Sequence, residues 1–146
     1  MLGPAGPLPP MTMERRFQRD LDAVDKVFDF IDEFVTSFKV DPSVANPIKV
    51  AVEELFVNMV RYNAESPEDI SIAFEKEEGK VIIILRDFDS DPFDMTEYKA
   101  ADVQTLIEER KVGGLGLRLV KNMMDEIYYE YRDRQTRIKL IKNLDA

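Results

Sequence analysis

The stretch Ile70-Ser71-Ile72-Ala73-Phe74-Glu75-Lys76-Glu77-Glu78-Gly79-Lys80-Val81-Ile82-Ile83-Ile84-Leu85-Arg86-Asp87 decides the fold. Ile70, Ile72 and Phe74 alternate with Ser71 and Ala73, the period of a strand that buries one face. Lys76 to Lys80 carries charge and a glycine, which predicts a hairpin turn. Val81 to Leu85 is an unbroken apolar run, the pattern of a central strand covered on both sides. Two consecutive antiparallel strands therefore form the middle of a sheet.

Working outward from the hairpin, Asn63 to Asp69 reads as a polar turn containing Pro67. A helix ends before it at about Tyr62 and is capped at its start by Asp41 or Ser43, with Pro47 tolerable only in its first turn. Further upstream, Leu21, Val24, Phe28, Ile31, Val35 and Phe38 recur every three or four residues, an amphipathic helix with one face on a core. Thr12 to Phe17 suits a short first strand. Downstream, Asp87 to Val112 gives mixed signals, with weak helical patterning around Val103 to Glu109. A helix follows through Leu117, Val120 and Met124. Two final strands, with Ile127, Tyr129 and Tyr131 and then Ile138 and Leu140, join across Asp133-Arg134-Gln135. The order predicts an α+β fold, a two-layer sandwich of a mainly antiparallel sheet with helices on one face. Residues 1–11, rich in proline, read as a disordered leader, and residues 12–146 as one domain without internal repeats.

Composition narrows the chemistry. The chain of 146 residues has no cysteine and no histidine, which excludes disulfides, thiolate nucleophiles, histidine triads and histidine-ligated metals. Its 20 basic residues against 29 acidic ones give a net charge of -9, which argues against a nucleic-acid-coating surface. No segment approaches the ~20 apolar residues of a membrane span, and nothing resembles a signal peptide, so the expected location is the cytoplasm.

Three clusters carry candidate chemistry. Gly113, Gly114 and Gly116 open the third helix, where unpaired N–H groups and the positive dipole end can cradle phosphate; they would equally serve a tight or flexible turn into the helix. On the second helix, Glu54, Asn58 and Arg61 fall within about 60° of one another at 100° per residue. A carboxylate and an amide there suit a general base and a hard-metal ligand, and Arg61 a phosphate contact; a solvated helix face reads the same way. Asp87 ends the central strand and is followed by Asp89, Asp91, Pro92, Phe93 and Asp94. The spacing does not fit a calcium loop, because Pro92 stands at the position of its glycine. A carboxylate accepting a ligand amine fits better, and an acidic surface turn is the alternative.

Taken in order, these clusters resemble the ATP-binding domains of the superfamily uniting gyrase, the heat-shock chaperone, histidine kinases and MutL. The closest resemblance is to its short anti-sigma-factor serine kinases. Glu54 and Asn58 match the family's first motif; Asp87 with Pro92-Phe93-Asp94 matches the second, with Asp89 where glycine is usual. Gly113-Gly114-Leu115-Gly116-Leu117 matches the third. The resemblance implies the Bergerat fold, a left-handed α/β sandwich that holds ATP and Mg²⁺ under a lid, here about Met95 to Val112. It implies that Asp87 binds the adenine amine, Asn58 the Mg²⁺ and Glu54 activates the attacking hydroxyl or water. Gly113 to Leu117, with Phe93, would line the nucleotide, and Lys99, Arg110 and Lys111 are candidate phosphate contacts. Arg61-Tyr62 replaces the usual Lys-His, placing Arg61 at phosphate and Tyr62 at the nucleotide's border. The implied function is a homodimeric regulatory serine/threonine kinase that binds a sigma factor and phosphorylates an antagonist protein. The alternative is a partner-switching module of the same fold without kinase activity, for which Asp89 beside the adenine site is the argument.

Overall fold

The computed structural model describes residues 11–90 and 119–144. Among the described residues five strands, β1 (Met11–Phe17), β2 (Ile70–Glu77), β3 (Lys80–Asp87), β4 (Glu126–Arg132) and β5 (Gln135–Asn143), form one antiparallel sheet in the order β1-β2-β3-β5-β4. β3, the apolar run, is the central strand. Gly79 takes φ 80 in the turn between β2 and β3, a conformation open to glycine at no steric cost. The turn between β4 and β5 uses Asp133 and Arg134 with φ 51 and 64, the two left-handed positions of a type I′ hairpin turn. Met11, the last residue of the expected leader, pairs with Lys76 across β1 and β2.

Two helices, α1 (Val24–Ser37) and α2 (Pro42–Tyr62), cover the sheet face that carries Ile70, Ile72, Phe74, Val81, Ile83, Leu85, Ile138 and Leu140. A single 3₁₀ turn, Leu21–Ala23, leads into α1 and is capped by the Asp20 side chain. Phenylalanines knit helix to sheet: Phe34 stacks on Phe74 with ring centroids 4.6 Å apart, and Phe30 and Phe56 close on Phe17 at 5.7 and 6.3 Å. Such ring pairs add to the ~1.5–3 kcal/mol of burying each side chain.

The buried stripe of α1 differs from the expected one. Val27, Phe30, Ile31 and Phe34 are the buried residues, Val24, Phe28 and Val35 are half-buried, and Leu21 is exposed. The helix has apolar side chains over a wide arc, and the sheet takes the middle of it. α2 also starts earlier than Pro47 suggested. Asp41 caps it by accepting a bond from the Ser43 N–H at 2.9 Å, and Pro47 lies inside the helix, beyond its first turn. Proline there removes the bond to the Ser43 carbonyl, but Ser43 is exposed and water can take that place. A further helical stretch, 119–123, buries Val120, and Met124 follows it into the same core. The lid, the glycine cluster and Phe93 lie in 91–118, outside the described residues.

Candidate nucleotide site

α2 brings the first cluster together as the helical period predicts. Ala51, Val52, Leu55, Phe56 and Met59 face the core, which turns Glu54, Asn58 and Arg61 to the other side. Burial, followed by the neighbouring Glu53 charge, pushes the Glu54 carboxyl above its usual value, and Arg61 partly opposes this. A carboxyl raised in this way is a stronger proton acceptor once ionised. The Asn58 Nδ2 atom is buried and has no hydrogen-bond partner among the described residues. Buried amides without partners are rare, because each forfeits its hydration. Tyr62 closes the helix with 36% exposure, and Arg61 before it is exposed.

Asp87 occupies the last position of β3. Its parity with Val81, Ile83 and Leu85 turns it to the helical layer, in a cross-strand row with Ile70 and Thr136. It is not the exposed acidic turn of the alternative reading. Its carboxylate forms a two-pronged pair with Arg19, Oδ1 to Nη2 at 2.5 Å and Oδ2 to Nη1 at 3.1 Å, with side-chain exposures of 3% and 1%. The same guanidinium donates to the backbone carbonyls of Met59, at 3.0 Å, and Glu68, at 3.1 Å. One arginine thus ties the end of β3 to the last turns of α2, next to Asn58.

Arg19 was not among the candidates read from the sequence. It sits in the polar run Gln18-Arg19-Asp20, which looks like a surface turn. The available signal was parity: Met13, Arg15 and Phe17 alternate along β1, and Arg19 continues the series on the side of buried Phe17.

The residue after next, Asp89, stands where the resemblance expects glycine. Its φ is not positive, so the backbone there does not call for glycine. Its N–H donates to Asp87 Oδ1 at 3.0 Å, while its carboxylate accepts from Arg134 at 2.8 and 2.9 Å. A hydrogen bond from Ser66, then the Arg134 guanidinium, hold that carboxyl below the usual range. The side chain is therefore engaged by the β4–β5 turn. Asn63 and the buried Ser90–Thr136 hydroxyl pair, 2.6 Å apart, fix the same segment.

The residues present fit a hydrated divalent cation. Among the described residues no three carboxylates gather to hold a metal, so a protein cage of the calcium type is absent there. A single amide ligand is what Mg²⁺ needs when phosphates and water supply the rest. Asn58 offers it: its buried amide nitrogen has no hydrogen-bond partner among the described residues, and a 180° turn of the group exchanges that nitrogen for oxygen. No helix among the described residues is long and apolar enough to cross a membrane.

Known proteins identify the family. The model of the histidine kinase-like ATPase domain matches residues 17–142. Serine-protein kinase RsbW of Bacillus velezensis is 31% identical over 88 residues, 55% of this chain. That match spans 53% of the relative, so the chain covers about half its length. Among solved structures, the RsbU and RsbW domains of Rv1364c from Mycobacterium tuberculosis superpose with a TM-score of 0.68 at 16% identity, over 93% of this chain and 33% of that one. The SiaB–SiaC complex from Pseudomonas aeruginosa gives 0.64 at 12% identity, over 88% of both chains. At these identities the structures speak for the fold, a two-layer sandwich with a five-stranded antiparallel sheet. The chain belongs to the histidine kinase-like ATPase domain family.

Proposed function

We propose that this domain binds ATP with Mg²⁺ and transfers the γ-phosphate to a serine or threonine of an antagonist protein, as a regulatory kinase of the anti-sigma-factor type. The observation that carries this reading is on α2: a buried Asn58 amide nitrogen without a hydrogen-bond partner among the described residues, one turn from a Glu54 whose carboxyl is raised by burial. Asn58 would hold the metal, whose charge offsets that of the phosphates. Glu54 would take the proton of the attacking hydroxyl, and Arg61 would face the phosphates. Asp87 would accept the adenine amine. Gly113, Gly114 and Gly116, with Leu115 and Leu117, would bring backbone N–H groups to the phosphates, and Phe93 and Tyr62 would border the nucleotide.

The similarity to a serine-protein kinase and to a solved complex with a second protein supports a protein substrate. A protein of net charge -9 repels a free nucleotide, so ATP affinity should fall steeply when Mg²⁺ is chelated. Isothermal titration with ATP·Mg²⁺ and with ADP tests the binding. Asn58→Ala should weaken ATP·Mg²⁺ by at least about tenfold, the scale of one lost charged contact. Parent-like affinity and activity in that variant would remove Asn58 from the metal site. Phosphotransfer to a candidate antagonist, read by mass spectrometry of the modified serine, tests the reaction.

One observation favours the alternative, a partner-switching module without kinase activity. Asp87 is already held by Arg19. No heat of binding at millimolar nucleotide, in a protein that still captures its partner, would decide for that reading.

A further inference from the structure

We infer that Arg19 sets the base selectivity of the nucleotide site by limiting Asp87 to a single further hydrogen bond. The inference rests on the reading of Asp87 as the base-binding carboxylate. An ionised carboxylate accepts about four hydrogen bonds, two at each oxygen. At Oδ1 both places are filled, by Arg19 Nη2 at 2.5 Å and by the Asp89 N–H at 3.0 Å. At Oδ2 one is filled, by Arg19 Nη1 at 3.1 Å. Among the described residues this leaves one acceptor place, on Oδ2.

Adenine asks for one acceptor, because its base-pairing edge has a single amine beside the ring nitrogen N1, itself an acceptor. Guanine presents two adjacent donors, N1–H and the 2-amine, which an unencumbered aspartate receives with both oxygens. Here the second donor of guanine would meet an oxygen already saturated and remain buried without a partner. A nucleotide does not readily push the arginine aside. Its side chain is 1% exposed, and besides the two bonds to Asp87 it is anchored on the Met59 and Glu68 carbonyls. Arg19 touches no reacting atom; it is a positioning residue that acts through Asp87.

The test is the ratio of the dissociation constants for ATP·Mg²⁺ and GTP·Mg²⁺. It is measured by titration calorimetry on the parent, Arg19→Lys and Arg19→Met, each checked for folding by its thermal melt. The parent should prefer ATP by at least about tenfold, the cost of one unpaired buried donor. Lysine keeps the charge but lacks the fork, so it vacates one oxygen of Asp87. Arg19→Lys should narrow the ratio by about tenfold, and Arg19→Met, where it folds, should narrow it further. Because both constants come from one preparation, an unfolded fraction lowers the stoichiometry of both titrations alike and leaves the ratio in place. An unchanged ratio in Arg19→Lys, or a parent that binds GTP as tightly as ATP, overturns the inference while the nucleotide-site reading stands. A parent that binds neither nucleotide overturns both.

Discussion

Asp87→Ala is expected to lower the free energy of unfolding by about 3–5 kcal/mol, the cost of leaving one buried charge without its partner. The loss comes from Arg19. With side chains 1% and 3% exposed, neither member of the pair has water to turn to when the other is removed. Urea denaturation followed by circular dichroism reads the change as a lower midpoint at constant slope. The double variant Arg19→Met with Asp87→Leu should regain much of the loss, since two apolar side chains need no compensation. It should not regain nucleotide binding. A single variant losing under about 1 kcal/mol would mean that water or another group reaches Arg19, and the burial of the pair would be wrong. The comparison also separates the structural work of this aspartate from its proposed contact with adenine, which single substitutions at Asp87 cannot do.

Glu54→Gln is expected to slow phosphotransfer by about a hundredfold to ten-thousandfold, the usual contribution of a positioned general base. ATP·Mg²⁺ affinity should change little, because the base acts on the acceptor hydroxyl. The pH dependence follows from the raised carboxyl. Burial and the Glu53 charge favour the protonated form, so the rate rises as pH passes upward through a value above the ordinary glutamate range. Glu53→Gln removes the like charge and should move that limb to lower pH. Arg61→Gln removes the opposing charge and should move it to higher pH. The stability effect has the opposite sense. A raised folded-state value means that the contribution of Glu54 to folding is fully present below the unfolded carboxylate value and is lost as pH rises through the folded one. At neutral pH Glu54→Gln should therefore be slightly more stable than the parent and far less active. A stabilised variant that keeps its rate would remove Glu54 from the base role.

Much of this architecture is legible in local pattern. The alternation of Ile70, Ile72 and Phe74 and the apolar run of Val81 to Leu85 identify β2 and β3, because strand parity follows from backbone geometry alone. The 100° step of a helix likewise puts Glu54, Asn58 and Arg61 on one side and Val52, Leu55, Phe56 and Met59 on the core. Legibility fails where several choices satisfy the same local rule. The apolar arc of α1 is wider than the contact it makes, and only the sheet selects Val27, Phe30 and Phe34 from it. Pro47 obeys its rule in a weaker form, since the carbonyl it leaves unpaired lies near the helix start, where Ser43 is exposed.

The candidate site divides along the same line. Glu54, Asn58 and Asp87 are each fixed by periods of a few residues, so their residue types and facing directions could be read from the chain. The state of Asp87 could not. Its partner Arg19 is 68 residues away, and the register of β1 on β2 and β2 on β3 brings the two together. Asp89 meets Arg134 across 45 residues through the position of the β4–β5 turn. Local sequence set which way Glu54, Asn58 and Asp87 face, because backbone periodicity acts over one turn or one pleat. The pairing of Asp87 with Arg19 belonged to the tertiary structure, because burial removes the water that would otherwise stand in for any particular partner.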